Sequence, residues 1–141
     1  MAIDYKVLGI QKPGSQNPET TKYYPRPAAA QRVEIEELAN EISYSTTLTD
    51  VEVEGVIKAL IKQMQQHIAS GRIVALGKFG SFRVTFHALG QATPEEVKAA
   101  DIKKVNLRFC PGTGLKNALD LRNLKFRNIE AGAQPEEDEL P

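Results

Sequence analysis

Gly71-Arg72-Ile73-Val74-Ala75-Leu76-Gly77-Lys78-Phe79-Gly80-Ser81-Phe82 predicts two β-strands connected by a glycine turn. Ile73 to Leu76 is β-prone, and the two glycines of Gly77-Lys78-Phe79-Gly80 supply the backbone freedom that a turn requires. After the turn, Ser81 to His87 alternates strictly between apolar and polar side chains, the pattern of a strand with two different faces. The apolar members are Phe82, Val84 and Phe86, and the polar members are Arg83, Thr85 and His87.

A second alternating run, Val105 to Phe109, predicts another strand of the same sheet. Its apolar residues Val105, Leu107 and Phe109 are expected to point inward. The two strands are then expected to place four basic side chains on one polar face, namely Arg83, His87, Lys104 and Arg108. A solvated sheet face explains the same alternation, so the pattern alone does not identify a binding site.

Two helices precede this sheet. Apolar residues at helical spacing predict the first, and they are Ile35, Leu38, Ala39 and Ile42. Thr49-Asp50-Val51-Glu52 is a capping box that starts the second, and Gly71 is its expected end. Between them, Val53 to Ile68 carries a broad apolar stripe. These helices are expected to form the core, with His67 as a partly buried packing residue beside the stripe.

The segment between the two strands, Ala88 to Lys103, contains a second capping-box signature. Thr93-Pro94-Glu95-Glu96 places a proline at the first helical position, and it predicts a short helix from Thr93 to about Ala100. After the last strand, Pro111-Gly112-Thr113-Gly114 is expected to open a final helix that contains Leu115, Ala118, Leu119 and Leu121.

The two ends of the chain differ from its centre. Residues 1–30 are predicted to form a β-hairpin followed by an extended linker, with Pro25 and Pro27 ending the pairing of an edge strand. Residues 129–141 are acidic and poor in apolar side chains, so this tail is predicted to be disordered. The predicted domains are therefore 1–30, 31–128 and 129–141.

A formal net charge of zero conceals a segregation of charge. Residues 1–127 contain all 18 basic residues and 13 of the 18 acidic ones, a net charge of +5, and residues 128–141 carry −5. Residues 31–66 hold 3 basic and 7 acidic groups, whereas residues 67–127 hold 11 and 4. A basic half beside an acidic half suggests a face that binds a polyanion, although well-solvated charges give the same balance.

Several kinds of chemistry are not indicated. One cysteine, Cys110, and two histidines do not provide zinc-type spacing, and Gly112-Thr113-Gly114 lacks the Gly-Lys-Ser/Thr ending of a phosphate loop. No acid/base pair is recognisable, so no enzyme activity, metal or cofactor is expected. The chain shows no secretory signal and no apolar run of about 20 residues. A cytoplasmic protein, with Cys110 as an inert thiol, is therefore expected.

Two motifs in this order resemble the HU/IHF family of bacterial nucleoid proteins. The first is Gly71 to Phe82, similar to the family's glycine-turn hairpin. The second is Val105-Asn106-Leu107-Arg108-Phe109-Cys110-Pro111-Gly112-Thr113-Gly114-Leu115-Lys116, similar to the family's Phe-x-Pro-Gly-x-x-Leu-Lys segment. The resemblance covers about residues 33–122. The extension with Tyr23-Tyr24-Pro25-Arg26 looks like a longer HU-like subfamily of Bacteroidetes-type bacteria.

This resemblance implies an α+β fold and a function. A helical hairpin, an antiparallel β-saddle and a short C-terminal helix would form an intertwined homodimer, with the N-terminal β-hairpin as an addition. Family members hold double-stranded DNA in the saddle, and two β-arms reach around the minor groove with a proline wedge at each tip. The expected protein is thus a nonspecific, histone-like DNA-binding protein of the cytoplasmic nucleoid that condenses DNA.

The chain departs from the family pattern in its arm. Ala88 to Lys103 is short and carries Glu95 and Glu96 beside Pro94, while Cys110 and Thr113 stand where lysine is frequent in the family. Thr85 and His87 lie where family members often have arm arginines. The resemblance then implies binding to the DNA backbone, with less bending than a standard HU, through Arg83, Thr85, His87, Lys103, Lys104, Arg108 and Lys116.

Two hypotheses remain open from the sequence. The first is a nonspecific DNA binder that acts through phosphate contacts, in which the acidic tail could compete with DNA for the saddle. The second is an HU-like scaffold that has lost DNA binding. The altered arm and the acidic tail favour this hypothesis.

Overall fold

The computed structural model describes residues 1–130 and the backbone of residues 137–139. The chain forms two compact units. Val33–Lys116 is the central unit, and the terminal unit joins Met1–Arg32 to the described residues from Asn117 onward. The regular elements, in chain order, are β1 (Ile3–Ile10), β2 (Lys22–Pro27), α1 (Ile35–Ser45), α2 (Asp50–Ala69), β3 (Val74–Ala75), β4 (Gly80–Ala88), β5 (Ile102–Pro111), α3 (Thr113–Ala118), β6 (Lys125–Asn128) and β7 (Glu137–Glu139).

The helix α2 begins at the capping box that the sequence predicts. The Thr49 hydroxyl accepts from the Glu52 N–H at 3.3 Å, and the Glu52 carboxylate accepts from the Thr49 N–H at 2.9 Å. These bonds lower the pKa of Glu52, mainly through the Thr49 backbone. At the other end the Gly71 N–H donates to the Ile68 carbonyl, where the helix was expected to end. His67 is exposed rather than partly buried, and its Nδ1 lies 3.1 Å from the Arg72 guanidinium.

Three strands form the antiparallel sheet of the central unit, in the order β3-β4-β5. Gly77 adopts a φ of +55° in the turn between β3 and β4, a conformation that favours glycine. The ring of Phe109 lies between those of Phe79 and Phe82, with centroids 5.5 and 4.8 Å away. The three rings fix the turn against β5.

The prediction of a helix from Thr93 to about Ala100 is wrong. The structure has two single 3-10 turns, Pro94–Glu96 and Ala99–Asp101, and the Thr93 side chain makes no capping hydrogen bond. Val97 is extended between them, and the Asp101 carboxylate accepts from the Lys98 N–H at 2.8 Å. Such a local side-chain bond competes with helix formation.

The start of α3 is tied to the turn between β3 and β4. The Gly112 N–H donates to the Phe79 carbonyl at 2.9 Å, and the Gly114 N–H donates to the Lys78 carbonyl at 2.9 Å. The helix then ends at Ala118, before the predicted Leu119 and Leu121. A new 3-10 turn, Leu121–Asn123, begins there because the Asp120 carboxylate accepts from the Arg122 N–H at 3.0 Å.

We expect Gly112→Ala to destabilise the central unit. A β-carbon at this position would collide with the carbonyl oxygen of Lys78, which is backbone and cannot rotate away. Overpacking of this kind costs about 1–3 kcal/mol. Thermal unfolding followed by circular dichroism measures the effect, and Gly55→Ala is the matched control because a β-carbon at Gly55 meets nothing within 4 Å. Equal unfolding temperatures for the two variants would contradict the expectation.

The sheet of the terminal unit has the order β2-β1-β6-β7. β1 and β2 are antiparallel, and the pairing continues through Pro25 opposite Val7 and Pro27 opposite Tyr5. The expectation that these prolines end the pairing is therefore wrong. They are tolerated because β2 is an edge strand, on which a missing N–H can face away from the ladder.

Residues near the two ends of the chain are paired in this sheet. β6 runs parallel to β1, with Phe126 opposite Ile3 and Arg127 opposite Asp4. The acidic tail, predicted to be disordered, contributes the strand Glu137–Glu139 antiparallel to β6. The rest of the predicted tail, residues 131–136 and 140–141, lies outside the described residues. The predicted boundary at residue 128 consequently falls inside the terminal unit.

Candidate nucleic-acid interface

One face of the β4–β5 ladder is polar along its whole length. The register places Arg83 opposite Arg108, Thr85 opposite Asn106, and His87 opposite Lys104. Directly opposite residues share a face, so the four basic residues that the alternation predicts for one face do lie on one face, and the register adds which of them are opposite each other. Arg83, Thr85, His87, Lys104 and Arg108 are all exposed. We call these five residues with Asn106 the saddle face.

The saddle face is electrostatically unfavourable in the isolated chain. Two arginines, Arg83 and Arg108, face each other at one end. Like charges directly opposite each other on a sheet are destabilising. Within residues 1–130, no carboxylate forms an ion pair with Arg83, Lys104 or Arg108. A bound polyanion would supply the missing counter-charge.

Two further residues predicted for the site are placed differently. Lys103 has no register partner, because it is the extra residue of a β-bulge between the pairs His87–Lys104 and Ala88–Ile102. Its ammonium donates to the Ala100 carbonyl at 3.1 Å. Lys116 is exposed in the last turn of α3, outside the ladder. The register therefore does not bring Lys103 and Lys116 onto the saddle face.

Lys78 is a residue that the sequence analysis did not select. It is exposed in the turn between β3 and β4, and its carbonyl accepts from the Gly114 N–H. The turn is thus held beside the first residues of α3, the helix that carries Lys116. The signal in the sequence is a lysine between the two glycines of the turn, a context that by itself indicates only a turn.

The opposite face of the same ladder is apolar and largely uncovered. Phe86, Val105 and Leu107 are 61%, 56% and 60% exposed, so they do not point into a core as expected. A groove of about 370 Å³ lies between this face and the end of α2, lined by Gln65, Ile68, Ala69, Val84, Val105, Asn106 and Leu107. In the part of the chain that the structure describes, only Ala39 and Val53 are buried apolar residues.

Neither a metal centre nor a bilayer crossing is found in the described residues. No three His, Cys, Asp or Glu side chains there come together in a group that could hold a metal ion. None of the described helices combines the length and the apolar character that crossing a bilayer requires. What the described surface offers is a cationic sheet face backed by an apolar one.

Comparison with known families gives the context for this face. Residues 1–127 match the family HU-HIG, described as an HU domain fused to a wHTH, Ig or glycine-rich motif. The chain belongs to the HU-HIG family. The match of HU-HIG begins at residue 1, so it includes the N-terminal hairpin as well as the central unit. No curated protein is significantly similar to the chain in sequence.

Two solved structures are similar to this chain at low sequence identity. A candidate bacterial DNA-binding protein from Bacteroides vulgatus has a TM-score of 0.58 and 9% identity over 90% of this chain. The match spans 48% of that protein's chain. The HU protein of Anabaena, crystallised with DNA, has a TM-score of 0.48 and 19% identity over 62% of this chain and 99% of its own.

Proposed function

We propose that this HU-HIG protein binds double-stranded DNA without sequence specificity, as an architectural protein of the bacterial nucleoid. The saddle face carries the proposal: it presents Arg83, His87, Lys104 and Arg108 along one exposed ladder, without a carboxylate partner among the described residues. Arginine and lysine contacts to phosphates hold a protein on DNA without reading bases. The similar protein from Bacteroides vulgatus is itself described as a DNA-binding candidate.

Each residue of the proposed DNA-binding site has its own contact. Arg83 and Arg108 contact phosphates at one end of the saddle face, and His87 and Lys104 do so at the other. Thr85 donates its hydroxyl to a phosphate oxygen between them. Lys103 and Lys116 are proposed as contacts beyond the ladder, on its bulge and on α3.

The working form is proposed to be an intertwined homodimer. The apolar face with Phe86, Val105 and Leu107, and the exposed apolar side chains of α2 such as Leu60, leave more apolar surface than a stable single chain ordinarily exposes. Covering these faces with a second copy would bury them and leave both saddle faces in solvent. Small domains commonly gain stability in this way.

A second candidate function is an HU-like scaffold that no longer binds DNA. The segment between β4 and β5 favours it, because its two 3-10 turns carry acidic residues, Glu95 and Glu96 in the first and Asp101 in the second, where a basic arm would be needed to reach into a groove. In the DNA-binding proposal the same segment predicts weaker bending of the DNA, and the saddle face makes the contacts.

The salt dependence of DNA binding tests the proposal. We expect two to three of these proposed cationic contacts per chain to be made at one time, which corresponds to a slope of about −4 to −5 in log affinity against log salt for the dimer, at about −0.9 per contact. Fluorescence anisotropy with a labelled duplex measures the slope. A version that ends at Asn128 is expected to bind more tightly than the full chain, because removing residues 129–141 removes five acidic groups. Folded dimer that does not bind duplex at about 50 mM salt, with or without the tail, would favour the scaffold.

A further inference from the structure

The N-terminal hairpin has a cationic face of its own. In the β1–β2 register, Lys6 lies opposite Arg26, Leu8 opposite Tyr24, and Ile10 opposite Lys22. Side chains alternate along a strand, so the three basic residues share one face with Tyr24. Lys6, Lys22, Tyr24 and Arg26 are exposed. We call these four residues the hairpin face.

The hairpin face has an unfavourable charge pair, as the saddle face has. Lys6 and Arg26 are directly opposite each other, an arrangement that destabilises a hairpin. No carboxylate of the described residues forms an ion pair with Lys6, Lys22 or Arg26. The pair therefore destabilises the hairpin, and no ion pair among the described residues compensates for it.

The nearest acidic groups of this sheet are engaged elsewhere. The Asp4 carboxylate accepts from the Arg127 guanidinium at 2.7 and 2.8 Å, and this hydrogen bonding lowers the pKa of Asp4. The Glu130 carboxylate accepts from the backbone N–H of Val7 at 3.0 Å. Both carboxylates thus bind other groups of the terminal unit rather than the cations of the hairpin face.

Glu19, in the 3-10 turn between β1 and β2, forms no ion pair with the three cations. The strand order separates the acidic strand β7 from them. β2 is one edge of the sheet, and β7, which carries Glu137, Asp138 and Glu139, is the other. Neighbouring strands lie about 4.8 Å apart, which puts β7 roughly 14 Å from β2 and roughly 10 Å from β1, the strand that carries Lys6. Both distances exceed the Debye length of about 8 Å at physiological salt. The acidic strand therefore does not neutralise the hairpin face.

The other face of the hairpin is unsuited to an anion. A groove of about 500 Å³ occupies it, lined by Ile3, Tyr5, Val7, Tyr23, Tyr24, Pro25, Arg26, Pro27 and Phe126. Most of these side chains are apolar or aromatic. Tyr24 and Arg26 of the hairpin face also line this groove, but its other lining residues carry no cation. We therefore assign an anionic ligand of this sheet to the hairpin face, where Lys6 and Lys22 accompany Arg26.

We propose that the hairpin face is a second site for the phosphate backbone of duplex DNA, additional to the saddle. Arg26 and Lys22 are four residues apart on β2, about 13 Å at 3.3 Å per residue. This separation is close to the roughly 12 Å width of the major groove, so the two cations can contact phosphates on both of its sides. The inference rests on the proposed function, because it assumes the same ligand.

The test compares charge-matched variants of the full chain. Lys6→Gln with Arg26→Gln removes two positive charges from the hairpin face. Lys58→Gln with Lys62→Gln removes two from α2, in the acidic half of the chain. We expect the hairpin variant to bind a labelled duplex about tenfold more weakly at about 50 mM salt, with a shallower salt slope, and the α2 variant to stay within about twofold of the unmodified protein. Exchanging the two cations, Lys6→Arg with Arg26→Lys, should preserve the slope.

Loss of structure is separated from loss of contact by thermal unfolding. The hairpin variant should unfold at the same temperature as the unmodified protein or higher, because a like-charge pair has been removed. Equal DNA affinities for the hairpin and α2 variants would overturn the inference. A saddle variant, Arg83→Gln with Arg108→Gln, keeps the two proposals apart: if it alone weakens binding, only the saddle function stands; if the hairpin variant alone does, only the hairpin site stands. Failure of the unmodified protein to bind would reject both.

Discussion

Arg108→Ala is expected to weaken binding to duplex DNA by between tenfold and a hundredfold at about 0.1 M salt. The change removes one phosphate contact from each chain of the proposed dimer, so the slope of log affinity against log salt should become shallower by nearly two. The sequence preference should not change, because phosphate contacts position a protein without specifying bases. Anisotropy titrations of two unrelated duplexes across a range of salt measure all three quantities.

The fold should tolerate this substitution. Arg108 is exposed and lies directly opposite Arg83, so its removal relieves a repulsion across the ladder. Lys62→Ala on α2 is the matched control, an exposed cation in the acidic half of the chain. An Arg108→Ala protein that binds DNA as tightly as the Lys62→Ala protein would exclude the saddle face as the binding surface.

Leu107→Glu is expected to abolish the homodimer at micromolar concentration. Leu107 is 60% exposed in the single chain and borders the groove beside the end of α2. In the proposed dimer a second copy covers this face, and an unpaired carboxylate buried there would cost about 3–5 kcal/mol. That cost corresponds to a loss of affinity of about two to four powers of ten. Light scattering should then give a mass near 15.6 kDa, or show unfolded chain if the monomer is not stable.

Val97→Glu is the matched control for this change. Val97 is 61% exposed, almost the same as Leu107, but it lies between the two 3-10 turns rather than on the apolar face. We expect the Val97→Glu protein to remain dimeric. A stable, folded dimer of the Leu107→Glu protein would show that this apolar face is not the interface.

The saddle face was predictable because strand alternation determines it. Once Phe82 and Val84 occupy one side of β4, Arg83 must lie on the other. The pairing with β5 followed from two strands of similar length with the same alternation. The start of α2 was predictable for a comparable reason, since a capping box is complete within Thr49 to Glu52. Features determined by neighbouring residues could be found from the sequence.

Features that depend on partners distant in the sequence could not be predicted in this way. β6 is a short strand, Lys125–Asn128, and it exists through its pairing with β1 more than a hundred residues earlier. The tail strand depends in turn on β6. The segment before β5 lacks the predicted helix for a local reason instead, because the Asp101 carboxylate accepts from the Lys98 N–H and Thr93 makes no capping bond. The exposure of Leu107 was missed because alternation separates two faces without telling which is covered.

The parallel pairing of β1 with β6 sets an order of folding during synthesis. Every residue of the central unit leaves the ribosome before Phe126 does, so that unit can form from contiguous chain. The β1–β2 hairpin must wait with one edge of β1 unpaired until Lys125–Asn128 has been synthesised, because its neighbour on that side is β6. An unpaired strand edge is a template for pairing with another molecule. The chain is therefore most prone to misassembly during synthesis, while the terminal unit is still incomplete.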